Sequence, residues 1–278
     1  MRFLEVSFAT CGFNDMMSRA EHALSYASRY DRVLLLNTSE SVYNVDFGEY
    51  FFSVNRRIIV DKDWIQRILS SCTERLAITP KNKNELEERG LLNWATSYTT
   101  TSILIPDIDL PEQLISYRSA GGASPYVFLR DNFVATAKLR QLLTARHEEL
   151  LENTGEDYVS IQIRNTDHAC DYQLLYQENK KLIHSNAVHI ATDDKDCLQF
   201  FDQCGVKYCN LCEFPTGENR NLHGSKLLSG ETKFLDMLSD LYLMSKSKKI
   251  LSNSKGGFIR LARDLHKDKT NPNNLFYF

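Results

Sequence analysis

Past residue 157, short apolar runs alternate with longer stretches in which apolar positions recur every three or four residues. The runs predict strands over Tyr158–Ile163, Ala187–Ala191, Val206–Tyr208 and Lys249–Ser252. The longer stretches predict helices over Asp171–Ile183, Lys195–Gln203, Thr232–Lys246 and Gly257–Leu265. Near the N-terminus, the alternating run from Arg2 to Ala9 predicts a strand that breaks at Cys11-Gly12. Met17, Ala20, Leu24 and Ala27 then space a helix from Asn14 to Tyr30, with Asn14 as its N-cap, and Val33–Leu36 reads as a buried strand. Between Asp46 and Ser124 the pattern is weaker: a strand at Ile58–Val60, a helix over Asp61–Cys72 and a strand at Ser102–Ile105. A helix over Asn132–Glu152 and a Gly155-containing linker close this half.

Strands alternating with helices of this length predict an α/β fold whose parallel sheets are covered on both faces. Two Rossmann-like domains are expected, one over residues 1–153 and one over 154–278. With 42% hydrophobic residues the chain can bury a core, which excludes a disordered or fibrous protein. Its 33 basic against 36 acidic residues argue against nucleic acid as partner. No apolar run exceeds four residues and the start lacks a signal-peptide pattern, so a cytoplasmic protein without a transmembrane segment is expected; peripheral membrane association stays open. Seven cysteines, an odd number, fit free thiols better than a disulfide framework. Cys204, Cys209 and Cys212 include a C-x-x-C, but His223 or Cys197 as further ligand lacks zinc-knuckle spacing, so no metal is expected.

In parallel sheets ligands gather at the carboxyl ends of strands. Three of these ends carry polar groups that core packing does not require. The first reads Gln162-Ile163-Arg164-Asn165-Thr166-Asp167-His168, with Gln162 and Arg164 on one face; an arginine there suits bidentate phosphate binding. The second reads Ala191-Thr192-Asp193-Asp194, where one acid suffices to cap the next helix and the other suits a ribose or base. The third, Ser252-Asn253-Ser254-Lys255-Gly256-Gly257, lets backbone N–H groups at a helix start approach a phosphate, with Lys255 adding charge.

These stretches in their order, with Asp240 inside Phe234–Ser245 and with Cys11-Gly12-Phe13-Asn14 near the start, resemble the fucosyltransferase superfamily. The likeness spans roughly residues 1–40 and 155–265 and takes in the α1,2-, α1,6- and protein O-fucosyltransferases. It implies a GT-B-like fold of two Rossmann-like domains facing a central cleft, and a metal-independent, inverting glycosyltransferase that needs no cofactor. GDP-fucose is the first-choice nucleotide-sugar donor and a glycan the acceptor, with bacterial surface polysaccharide synthesis as one setting. Arg164 matches the arginine that neutralises the donor's β-phosphate. Gly12, Asn14, Gln162, Asp167, Asp193, Asp194, Ser254, Lys255 and Gly256 match donor-binding positions. Departures include Gln162 for a histidine, Asn165 for a second arginine, and Lys255-Gly256-Gly257 for a serine-rich core. They keep a UDP, CMP or dTDP sugar, or a catalytically degenerate nucleotide-binding homologue, as alternatives.

Without a metal, arginine and a helix N-terminus must stabilise the departing diphosphate, so Arg164 is the expected catalytic residue. Asp171 and His168 are general-base candidates, with His223 a further one. The long segment Pro215–Ser229, with Arg220, His223 and Lys226, is the candidate lid.

Overall fold

The computed structural model describes residues 1–8, 11–92, 94–96, 101–118, 125–155, 157–165, 170–214 and 227–278. They fall into two units, Met1–Thr136 and Ala137–Phe278.

In the first unit a strand β1 (Arg2–Ser7) leads to α1 (Phe13–Arg29) and β2 (Arg32–Asn37). Then follow β3 (Phe51–Ser53), β4 (Ile58–Ile59), α2 (Lys62–Ser71), β5 (Arg75–Ile78) and α3 (Lys83–Glu88). A pair β6 (Trp94–Thr96) and β7 (Thr101–Ile103) precedes β8 (Leu114–Tyr117), α4 (Pro125–Asn132) and β9 (Phe133–Ala135). Five strands form a parallel sheet in the order β4-β2-β1-β8-β5. One face of α1 carries Phe13, Met16, Met17, Ala20, Ala23 and Ala27, all buried, and the alanines let it approach its neighbours closely. Asp61 caps α2 by accepting from the Trp64 N–H at 2.7 Å, as the sequence predicts for a helix starting there.

Three expectations need correction here. The N-cap of α1 is Gly12, not Asn14, which sits inside the first turn and bonds Asp15 instead. The pattern predicts no strand at Leu114–Tyr117, yet β8 lies inside the sheet between β1 and β5; four residues are too few to show a period. The expected helix from Asn132 is replaced at its start by β9, which pairs with β3. There Phe133 joins Phe47, Phe51 and Phe128 in an aromatic cluster, and that tertiary packing overrides the local helical spacing.

The second unit opens with α5 (Ala137–Thr154). It continues with β10 (Tyr158–Ile163), α6 (Tyr172–His184), β11 (Ala187–Thr192), α7 (Lys195–Gln203), β12 (Tyr208–Cys209), α8 (Gly230–Lys246), β13 (Lys249–Leu251) and α9 (Gly257–Lys267). Expecting the boundary after residue 153 assigned α5 to the first half; the observed division falls at 136/137, because α5 packs on α8, β11 and β12. All four strands are parallel, in the order β12-β11-β10-β13.

Every residue of β10 is buried, as expected of an inner parallel strand. Val159, Ile161 and Ile163 pack with Val188, Ile190, Leu175, Ile183 and Phe201 on one face. The opposite face carries polar groups: the Tyr158 hydroxyl donates to the Leu243 carbonyl at 2.7 Å, and Ser160 Oγ lies 3.2 Å from His189 Nδ1.

Candidate functional site

The strand order of the second unit decides where a ligand can bind. The chain runs from β10 outward through β11 to β12, then returns by α8 to place β13 on the far side of β10. The carboxyl ends of β10 and β13 therefore flank a reversal in strand order, and such reversals open a crevice at the strand ends. Arg164 and Asn165 follow β10, and Ser252–Gly256 follow β13.

These tips are tied together by side chains. Gln162, 3% exposed, accepts a hydrogen bond from Ser252 Oγ at 2.8 Å, which links β10 to the start of the β13–α9 loop. Ser252 Oγ also accepts from the Ser254 N–H at 3.1 Å, and Ser254 Oγ from the Gly256 N–H at 3.3 Å. The Arg263 guanidinium, a turn and a half into α9, reaches back to the Ser252 carbonyl at 2.8 Å. The buried thiol of Cys170 donates to Asn253 Oδ1, while Asn253 Nδ2 donates to the Asp171 carbonyl at 2.8 Å. Burial pushes the Cys170 thiol up, against backbone hydrogen bonds from Arg164 and Asn253 that pull it down.

The β11 tip is bound to the same assembly. Asp194 is the N-cap of α7, Oδ1 accepting from the Asp196 N–H at 2.9 Å, while Oδ2 accepts from Asn165 Nδ2 at 2.7 Å. Asp193 Oδ1 accepts from the Asn165 N–H at 3.0 Å. Two adjacent acids exceed what capping needs, and the surplus is spent on Asn165.

The helix starts differ in a way that bears on charge. Asp171, Asp194 and Ser229 cap α6, α7 and α8 with side-chain acceptors. At α9 the N-cap is Gly256, with no side-chain acceptor and no acid in the first turn, and Lys255 beside it is exposed. First-turn N–H groups of α9 are thus not claimed by a capping side chain, and the helix dipole adds positive potential there.

No family model matches the chain, and no curated protein matches it by sequence. Solved structures do match in three dimensions. The NodZ α-1,6-fucosyltransferase co-crystallised with GDP is 17% identical, over 95% of this chain and 93% of that one, with a TM-score of 0.61. NodZ is from Bradyrhizobium. POFUT1 in complex with GDP is 10% identical, over 98% of this chain and 97% of that one, with a TM-score of 0.58. POFUT1 in complex with GDP-fucose gives 10%, 96%, 94% and 0.56 on the same measures. The chain shares the fold of these structures. At these identities the likeness carries architecture, and the chemistry must come from the residues.

Within that fold, Arg164, Gln162, Asp193, Asp194, Ser254, Lys255 and Gly256 come together at neighbouring strand tips of one unit. Gly12 and Asn14 lie at the start of α1 in the other unit. Asp171, a general-base candidate, has its carboxylate on the Leu174 N–H at 2.9 Å as the cap of α6. Asp167, His168, Arg220, His223 and Lys226 lie outside the described residues. Asn165, Cys170, Ser252 and Asn253 were not singled out from sequence as site residues. A short polar residue after a strand-end arginine, in a chain with an acid pair after the next strand, is the signal that would have found Asn165.

The Cys204–Cys212 cluster forms no metal centre among the described residues, where no group of three or more His, Cys, Asp or Glu side chains is arranged to hold an ion. Cys212 instead donates to Asp240 Oδ2 at 3.2 Å, and Asp240 Oδ1 lies 3.3 Å from His189 Nε2. Among the described residues no helix is long and apolar enough to cross a membrane.

Proposed function

We propose that the protein is a glycosyltransferase that moves fucose from GDP-fucose to a hydroxyl of a glycan acceptor, with inversion at the anomeric carbon. The observation that carries this is the meeting of the β10 and β13 tips at a strand-order reversal, with Arg164 on one side and the uncapped start of α9 on the other. It is supported by a fold shared with proteins whose solved structures hold GDP or GDP-fucose.

In the reaction the acceptor oxygen bonds to the anomeric carbon as the bond from that carbon to the β-phosphate oxygen breaks, and the acceptor's hydroxyl proton passes to a general base, for which Asp171 and His168 are the candidates. Negative charge then grows on the leaving diphosphate. Arg164 offers a planar fork of N–H donors matched to phosphate oxygens. The first-turn N–H groups of α9 and the Lys255 ammonium add fixed positive potential. These groups are in place before the bond breaks, so they favour the transition state without reorganising, and the reading assigns that stabilisation to protein groups and no resident metal. Asp193 and Asp194, at the β11 tip beside Asn165, are assigned to the nucleoside side of the donor.

Titration calorimetry with GDP, UDP, CMP and dTDP, followed by a transfer assay with GDP-fucose, tests the reading. GDP binding well above the other nucleotides, with fucose transferred to an oligosaccharide, is expected. Preference for a different nucleotide overturns the donor; GDP binding without turnover on any oligosaccharide acceptor overturns the transferase.

A further inference from the structure

We propose that Asn165 is a positioning residue of the donor site, which sets the direction of Arg164 by clamping the β10 tip to the acid pair after β11. This rests on the donor-site reading above and deepens it.

Three of the four polar groups of Asn165 are engaged, and none of these with its own strand. Its N–H donates to Asp193 Oδ1 at 3.0 Å, its Nδ2 to Asp194 Oδ2 at 2.7 Å, and its Oδ1 accepts from the Cys170 N–H at 3.4 Å. The peptide unit is planar, so the Asn165 N–H lies in one rigid plane with the carbonyl and Cα of Arg164. Fixing that N–H on Asp193 fixes the ψ angle of Arg164. On the other side, Arg164 makes a backbone hydrogen bond to the Cys170 thiol, and the Cys170 N–H is itself held by Asn165. Both peptide units flanking Arg164 are therefore anchored, and the Cα–Cβ direction of its side chain is set by the backbone.

An arginine side chain has rotamer freedom to lose when it grips a ligand. Anchoring its base leaves only the outer torsions to settle. The acids involved have structural work without Asn165: Asp194 already caps α7 through Oδ1. The second bond on Asp194 adds orientation at one residue, the one that follows the phosphate-binding arginine. An ionised carboxylate accepting from an amide also makes this bond stronger than a neutral pair would be.

The test uses the full chain with GDP-fucose and an oligosaccharide acceptor, reading kcat, KM and the GDP dissociation constant. Asn165→Ala should lower kcat by about 10²-fold, the scale expected for a misplaced catalytic group. Combined with Arg164→Ala it should produce no further loss, because a residue acting through another is non-additive with it. Asn165→Asp puts a third carboxylate at the tip and should be as impaired. The exchange Asn165→Asp with Asp194→Asn re-forms the amide–carboxylate bond in the opposite direction while asparagine still caps α7, and should recover most of the loss. That exchange also keeps the test decisive where Asn165→Ala folds poorly. Wild-type turnover in Asn165→Ala overturns the positioning role, as does full multiplication of its effect with that of Arg164→Ala, or an exchange variant no better than Asn165→Asp. Failure of the wild type to bind GDP or GDP-fucose overturns the donor site itself and takes the positioning role with it.

Discussion

Helices α1 and α9 begin with nearly the same backbone and opposite electrostatics. Gly12 caps α1 at φ −73°, ψ 166°, and Gly256 caps α9 at φ −67°, ψ 167°; neither start has a side-chain acceptor. Both helices follow a strand that borders a reversal in strand order, β1 beside β8 in one sheet and β13 beside β10 in the other. Yet α1 carries Asp15 in its first turn, whereas α9 has no acid there and is preceded by Lys255. An acid within the first turn offsets the positive end of a helix, and a lysine reinforces it. Two starts of one geometry therefore differ in what they attract. Backbone shape makes an anion site available, and the neighbouring charges decide whether it is used.

The largest effect should come from the charge that completes the α9 side. Removing the guanidinium in Arg164→Ala should cost about 10²–10³-fold in turnover with GDP-fucose, the scale for losing one preorganised donor to a developing anion. Steady-state kinetics on folded protein, checked by circular dichroism, reads this directly. Unchanged kcat would mean that the leaving group is stabilised elsewhere, and α1 would return as the better candidate.

The units also differ in how they hold buried acids. In the first, Glu5 on β1 accepts from Asn37 Nδ2 at 2.7 Å and from Ser116 Oγ at 2.6 Å, so both its oxygens are occupied. In the second, Asp236 on α8 accepts from the Glu213 N–H at 3.2 Å and has Arg146 only at 3.8 Å. Burial pushes its carboxyl up to about 6, Asp240 adds to the rise, and the Glu213 N–H and Arg146 oppose it. Between the ordinary value of 3.8 and about 6, the folded chain keeps a proton that the unfolded chain has released. The stabilisation from this group is thus full below about pH 4 and is lost as pH rises through 6, by roughly 2 kcal/mol. Asn keeps the shape and cannot ionise, so Asp236→Asn should gain about that much on wild type between pH 4 and pH 7 in urea unfolding. A difference that does not change with pH would show the carboxylate to be adequately solvated after all.

How much of this was legible in sequence follows the range of the forces involved. Strand β10 and helix α7 were predicted to the residue, because an apolar run and a 3.6-residue spacing are local signals. The placement of Arg164, Asp193–Asp194 and Ser254–Gly256 at strand tips was legible as well, since the carboxyl-end rule needs only strand direction. Strand β8 was missed because its place in the sheet is given by β1 and β5, 111 and 39 residues upstream in register at Glu5 and Ala77 opposite Ser116. Phe133–Ala135 was read as helix because the cluster that holds it as a strand draws on Phe47 and Phe51 far upstream. Asn165 was noted only for what it replaces. Its partners lie 28 and 29 residues ahead, and which oxygen of which acid it meets depends on the packing of β10 on β11.

The smallest predicted effect tests the opening comparison most narrowly. Lys255→Glu reverses one exposed charge at the start of α9 while leaving Gly256 and the backbone alone. Exposed charges near a helix end are worth up to about 1 kcal/mol, so GDP should bind about 5-fold more weakly. The loss should shrink as salt is raised, because the charge is screened within about 10 Å at 0.1 M. Asp15→Asn is the matched change at α1: it removes the acid that offsets that helix end, and should leave GDP affinity where it was. If instead Asp15→Asn tightened GDP binding and Lys255→Glu did nothing, the diphosphate would belong to α1, and the similarity of the two glycine caps would outweigh the difference in their surroundings.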